Sequence, residues 1–247
     1  MSDLINPRLS LASVLTASVL LTGCFGDDDD NNSSNNDADD AMTYAYEVTV
    51  LNATAGQPFS PLALIAHTDE YKAFVVGDAA SSELEYLAES GSNQEILTAV
   101  ASDSMVHTSL GGEGVVGPGA SQTLTLELDE DDFSSAYLTV LTMMVNTNDA
   151  VVAARGIKLS DLAVDGSLRV NAIAYDAGTE ANSESSATIP GPAAGGEGFN
   201  AARDDRADQV TAHAGVVTGD DGLTTSALSQ VHRWDNPAAF ITVKRTR

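Results

Sequence analysis

The chain has 247 residues, with 36 acidic against 11 basic side chains, a formal net charge of −25 and a pI of about 4.1. A polyanion of this kind is repelled by nucleic acid, which is excluded as a partner. A single cysteine excludes an internal disulfide framework.

The first element is a leader. Arg8 precedes an apolar run from Leu9 to Leu21 that is rich in Ser and Thr. A membrane-spanning helix needs roughly 20 mostly apolar residues, so this run is short for a span and suits the core of a signal peptide. It ends in Leu21-Thr22-Gly23-Cys24, which resembles the lipobox of bacterial lipoproteins. Small residues let a peptidase seat the backbone, and the thiol forms the thioether to the lipid. The expectation is a signal peptide over 1–23 and a lipid on Cys24. The alternative is a soluble exported protein in which Cys24 is incidental. Residue 25 is Phe and not Asp. By the sorting behaviour of such lipoproteins this favours the outer membrane, at its periplasmic face or the cell surface. Residues 24–42 then form an acidic linker, in which Gly26 to Asp40 holds no apolar residue able to join a core and like charges keep the chain extended. Its other reading is a low-affinity cation sponge.

Residues 43–247 are long enough for one sizeable core. Tyr44, Tyr46, Val48 and Val50 alternate with small or polar residues, the period of a half-buried strand. Phe59 to Ala66 is apolar but broken by Pro61, which predicts an edge or irregular strand. Lys72 to Val76 is a further short candidate. Ser82-Glu83-Leu84-Glu85 reads as a capping box opening a helix that stops near Gly91, and Gln94 to Val100 suits a second helical turn. Leu124, Leu126 and Leu128 alternate. Tyr137 to Val145 is almost continuously apolar, as in a central strand. Leu168 to Ala174 alternates, and Ala239 to Val243 closes the chain. Glu184 to Gly222 reads as a long excursion. Many short strands with few helices predict an all-β, antiparallel β-sandwich with one or two short helices in loops.

Two acidic turns follow strands: Asn146-Thr147-Asn148-Asp149, and Tyr175-Asp176-Ala177-Gly178-Thr179-Glu180. Strand ends of a sandwich cluster at its poles, so the turns can meet. Calcium takes about 6–8 oxygen ligands, and Asp149, Asp176 and Glu180 offer three carboxylates. The competing reading is that Asp, Asn and Gly are ordinary turn residues. An EF-hand fails, because Ala181 and Ala187 stand where its glycine and bidentate glutamate belong. His67, His107, His213 and His232 lack paired metal spacing, which argues against zinc. Arg233-Trp234-Asp235 reads as a lead-in to the last strand or as a ligand-binding trio. Asp204, Asp205 and Asp208 with Arg203 and Arg206 read as a solvated face.

Phe59-Ser60-Pro61-Leu62, Leu87-Ala88-Glu89-Ser90-Gly91, Leu141-Thr142-Met143-Met144 leading into Asp149, and the Tyr175–Glu180 turn occur in this order. Together they resemble the spondin N-terminal domain over most of 43–247. Val231 to Pro237 is similar to the bacterial members. The resemblance implies a C2-like sandwich with calcium at one pole, held by Asp149, Asp176 and Glu180. It also implies extracellular binding or adhesion without catalysis. Glu180 replaces what is often Asp, and the cysteines of animal members are absent.

The expected function is therefore a membrane-tethered, calcium-binding adhesion module. Its partners would be the membrane through the lipid anchor and an anionic polysaccharide, a phospholipid headgroup or a surface protein. Two alternatives stand beside it. One is an envelope glycan hydrolase using paired carboxylates, with Glu89 or Glu197 as candidates. The other is a purely structural envelope lipoprotein.

Overall fold

The computed structural model describes residues 42–203 and 208–247. The leader, Cys24 and the acidic tract up to residue 41 lie outside the described residues, as do Asp204, Asp205 and Arg206.

The chain builds β1 (Thr43–Asn52), β2 (Ala63–His67), α1 (Ser82–Ser90), α2 (Gln94–Val100), β3 (Val106–Gly111) and β4 (Ser121–Asp129). A short α3 (Glu130–Phe133) leads to β5 (Tyr137–Met143), β6 (Ala150–Lys158), β7 (Ser167–Asp176), β8 (Thr211–Ala212) and β9 (Ala239–Arg245). All strand pairs are antiparallel, in the order β3-β2-β5-β6-β7-β9-β1-β4, with β8 on the side of β7. The expected antiparallel, all-β sandwich with short helices is the fold observed. The layers are joined by β7: its first half, Ser167–Ala172, pairs with β9, and its second half, Ile173–Asp176, pairs with β6.

Strand alternation decides which side chains meet between the layers. Tyr46, Val48 and Val50 of β1 and Ile241 and Val243 of β9 share one apolar cluster with Leu64 of β2, Leu138 and Val140 of β5 and Val152 of β6. The second layer also buries its other face. Ile65, Leu141, Val151 and Ala153 pack against Leu84 and Leu87 of α1 and Ile96 and Val100 of α2. This two-sided burial is why β2 and β5 read as apolar runs and not as alternating strands.

Three sequence expectations are corrected. The strand near Pro61 is not an edge strand. Pro61 precedes β2, which begins at Ala63 and runs between β3 and β5, with one register shift against β3 between Ala66 and His67. Lys72 to Val76 is a loop, in which Phe74 is buried while Val75 and Val76 are exposed. The cap of α1 is one residue earlier than read: the Ser81 hydroxyl accepts from the Leu84 N–H. Strands β3 and β6 were not foreseen. The described parts of the excursion from Glu184 to Gly222 form turns and the short β8, and Ile189 and Val216 pack with Leu228 in a small core of their own.

The two ends of the described domain meet at one pole, where the Thr246 N–H donates to the Ala45 carbonyl at 2.8 Å. The far end of β1 leads into a turn at the other pole, where the Asn146 amide donates to the Gly56 carbonyl at 2.9 Å.

Leu141 is wholly buried between sheet and helices, whereas Leu168 is largely exposed. Leu141→Ala should lower the unfolding free energy by about 2–5 kcal/mol. Leu168→Ala should stay within about 0.5 kcal/mol of the parent. Urea denaturation checks both, and equal costs would contradict the two-sided burial of β5.

Candidate functional site

The ladder itself brings the two acidic turns together. Ala150, the first residue of β6, pairs with Asp176, the last residue of β7. Asp149 therefore stands directly beside the turn that follows β7. The Thr147 hydroxyl tightens the first turn by donating to the Met144 carbonyl at 2.6 Å and accepting from the Ala150 N–H at 3.1 Å. The Asp149 carbonyl accepts from the Ala177 N–H at 3.2 Å. Its Oδ2 accepts from the N–H groups of Thr179 at 2.8 Å and Glu180 at 3.1 Å. The second turn reverses at Gly178, whose φ of +73° belongs to the left-handed region. A Cβ there would meet the Gln209 carbonyl oxygen at 2.4 Å.

Asp176 sits at the mouth. Its Oδ1 accepts from the Gly178 N–H at 2.9 Å and its Oδ2 from the Asn182 amide at 2.5 Å. Glu180 lies deeper, with Oε2 accepting from the Asn148 amide at 3.0 Å. Behind it stands Glu89, near the end of α1, whose Oε2 accepts from the Asn200 N–H at 3.1 Å. Arg203 reaches both acids, with Nη2 2.6 Å from Glu180 Oε1 and 3.6 Å from Glu89 Oε2. That guanidinium nitrogen also donates to the Gly198 carbonyl, and its contact with Glu180 is an ion pair without hydrogen-bond alignment.

Three of these acids are almost sealed from water: Asp149 is 0% exposed, Glu89 1% and Glu180 4%. Each keeps one buried oxygen without a hydrogen-bond donor, namely Asp149 Oδ1, Glu89 Oε1 and Glu180 Oε1. Unmatched buried carboxylate oxygens are costly, because desolvation removes hydration without replacing it. Burial, aided by the charge of Asp176, pushes the Asp149 carboxyl up to about 7 against two opposing backbone hydrogen bonds. Burial also raises Glu180, with Glu89 and Asp149 adding to the rise and Asn148 and Arg203 opposing it. Glu89 is raised by burial too. Of these acids, Glu180 and Glu89 share the guanidinium of Arg203.

The structure brings together Asp149, Asp176 and Glu180, the three residues singled out from the sequence. Among the described residues, however, no three His, Cys, Asp or Glu side chains are arranged as a ready metal cage. Glu180 is held by Arg203, which the sequence reading had assigned to a solvated face; that assignment is corrected. Glu89 and Arg203 are partners that sequence spacing could not reveal, being 114 positions apart. Of the Arg233–Asp235 trio, Arg233 pairs with Asp221 at 3.3 Å and Trp234 lies edge-on to His213 at 5.1 Å between ring centres.

Gly178→Ala should cost more than about 1 kcal/mol of stability, from the left-handed backbone and the contact with Gln209. Chemical denaturation beside Gly195→Ala checks this. Gly195 also has positive φ but lies in open space, so it isolates the backbone part of the cost.

No curated protein matches the chain. The family model Spondin_N matches residues 51–193, more than half of the chain, and that stretch contains Glu89, Asp149, Asp176 and Glu180. The chain therefore belongs to the spondin N-terminal domain family, a family of extracellular-type binding modules that are not enzymes.

Proposed function

We propose that the protein is a calcium-dependent binding module of the bacterial envelope, tethered through a lipid on Cys24. Its acidic pole would engage an anionic polysaccharide, a phospholipid headgroup or a surface protein. The observation that carries the calcium reading is the buried Asp149 Oδ1, left without a donor, close to Glu180, whose Oε1 meets only the unaligned guanidinium of Arg203. The donor set is all oxygen, which suits a hard cation. Asp149, Asp176 and Glu180 would hold the ion, with Glu89 supporting Glu180 from behind.

Calcium would supply the positive charge that one arginine leaves short. Asp149 is fixed to the second turn by two N–H bonds through Oδ2, which leaves Oδ1 as the oxygen it can offer. Asp176 is held at the mouth by Gly178 and Asn182. Glu180 would exchange its contact with Arg203 for the ion, while Arg203 keeps Glu89 neutralised. With the loops locked in this way, the pole would present one fixed surface to a partner.

A glycan hydrolase is less well supported. Glu89 is 1% exposed and faces Arg203, so a sugar chain has no route to it. Glu197 binds the Asn200 amide at 2.9 Å.

A melting titration of the whole chain tests the metal. A ligand that binds only the native state raises stability by about 2.7 kcal/mol at a hundredfold excess over Kd. Calcium should raise Tm where magnesium does not, since magnesium demands a strict octahedron and gives up its water reluctantly. Asp149→Asn should abolish the calcium rise. No calcium-specific rise, or an undiminished rise in the variant, would remove the metal from this reading.

The same site predicts a pH dependence. An unfolded Asp titrates near about 3.9, whereas folded Asp149 titrates at about 7. Its folded pKa is raised, so its contribution to stability is present at low pH and is lost as pH rises from about 4 through about 7. Calcium replaces the proton. The gap in Tm between calcium and chelator should therefore widen from pH 5 to pH 8, as read by circular dichroism at each pH. A gap that is constant or narrows would place calcium elsewhere.

A further inference from the structure

A second place in the fold has the makings of a ligand site, and it lies apart from the acidic turns. Strands β6 and β7 pair only from Ala150 to Ala153, after which β7 leaves to join β9. The divergence opens a notch of about 520 Å³, within the size range of small-molecule sites. Beside it β6 carries a bulge. Leu138 pairs with Ile157 and Val140 with Ala154, so Arg155 and Gly156 together oppose Thr139. Gly156 takes the left-handed φ of +70° that such a bulge needs. Bulges re-aim side chains, and this one turns Arg155 toward the notch.

Arg155 is fixed there by its faces. Its guanidinium carbon lies 4.0 Å from the centre of the Phe74 ring and 5.2 Å from that of Tyr175. Its Nη1 donates to the Phe74 carbonyl at 2.8 Å. No carboxylate among the described residues pairs with it, although acids outnumber bases by more than three to one in the sequence. Nε and Nη2 have no acceptor among the described residues, so the edge that grips a carboxylate stays available. The notch is also lined by Tyr71, Tyr137, Tyr175 and Asn171, with Lys72 and Asp69 among its exposed lining residues. Among the described residues the hydroxyls of Tyr137 and Tyr175 and the Asn171 amide make no hydrogen bond. The Lys72 ammonium is occupied by the carbonyls of Asp69 and Tyr71.

We infer that this notch binds an acidic saccharide, a chain of hexuronic acid units. Aromatic rings offer flat apolar faces to sugar rings. The open hydroxyls and the amide match sugar hydroxyls, and the clamped Arg155 takes a carboxylate through two parallel N–H bonds. The inference does not rest on calcium at the acidic turns.

The test is isothermal titration calorimetry of the whole chain, with calcium present, against a trimer of galacturonic acid and a trimer of galactose. The uronate trimer should bind saturably and the neutral trimer about tenfold or more weakly by comparison. Arg155→Lys keeps the charge but loses the planar fork, and should weaken the uronate trimer about tenfold. Asn171→Ala, at an exposed position, should weaken both trimers without moving Tm. Asp149→Asn should leave uronate binding intact even as the calcium rise in Tm disappears. Absence of saturable uronate binding, equal affinity for the neutral trimer, or indifference to both notch variants would overturn the inference. Loss of uronate binding in Asp149→Asn would move it to the acidic pole and overturn it equally.

Discussion

One clasp organises the acidic end of this domain: the Asp149 carboxylate, fully buried, accepting the N–H groups of Thr179 and Glu180. It joins two turns that are remote in sequence and fixes where every other acid can lie. The ladder from Ala150 to Asp176 delivers the turns to one place. The clasp then spends one carboxylate oxygen on backbone and leaves the other facing inward. Because Asp149 is anchored through its backbone as well, by the Ala177 N–H, it cannot swing to water to relieve its charge. The arrangement stores an electrostatic debt among Asp149, Glu180 and Glu89 that Arg203 meets only in part. Perturbed acids of this kind cluster at functional sites and in structural ion-pair networks alike.

The fold around this clasp follows from two-sided burial in one layer. With α1 and α2 on its outer face and the other layer on its inner face, the β2–β5–β6 region is buried on both sides. Both acidic turns hang from it: one follows β5, the other follows the half of β7 that pairs with β6. The site is thereby built on rigid strand ends and not on free loops, which favours precise placement of oxygen atoms.

Much of this was readable in the sequence, and the failures have causes. The half-buried strands β1, β4 and β7 show period-two alternation because one face meets the core and the other meets water. Strand β6 escaped because the bulge at Arg155-Gly156 interrupts an otherwise apolar run, and β3 because its residues are all only partly buried, which blurs the alternation. Pro61 suggested an edge strand because a sequence does not say whether a proline stands within a ladder or just before it. At the site, Asp149, Asp176 and Glu180 were visible because turn chemistry and strand ends announced them. Glu89 was singled out only as a hydrolase carboxylate and Arg203 only as part of a solvated face, so their meeting here was not visible. Glu89 lies on a helix and Arg203 on the long excursion after β7, and only the packing of that excursion against α1 makes them neighbours.

The domain is also a mechanical object. Thr43, the first residue of β1, lies at the pole opposite the acidic turns, and β1 runs from one pole toward the other. Strand β1 is hydrogen-bonded along its length to β4 on one side and β9 on the other. A partner pulling at the acidic end against a hold on the preceding chain would load β1 lengthwise. Its two ladders would have to slide together and could not be peeled apart bond by bond. Loading of this kind would favour rupture by shear over peeling, a difference no equilibrium melting curve reveals.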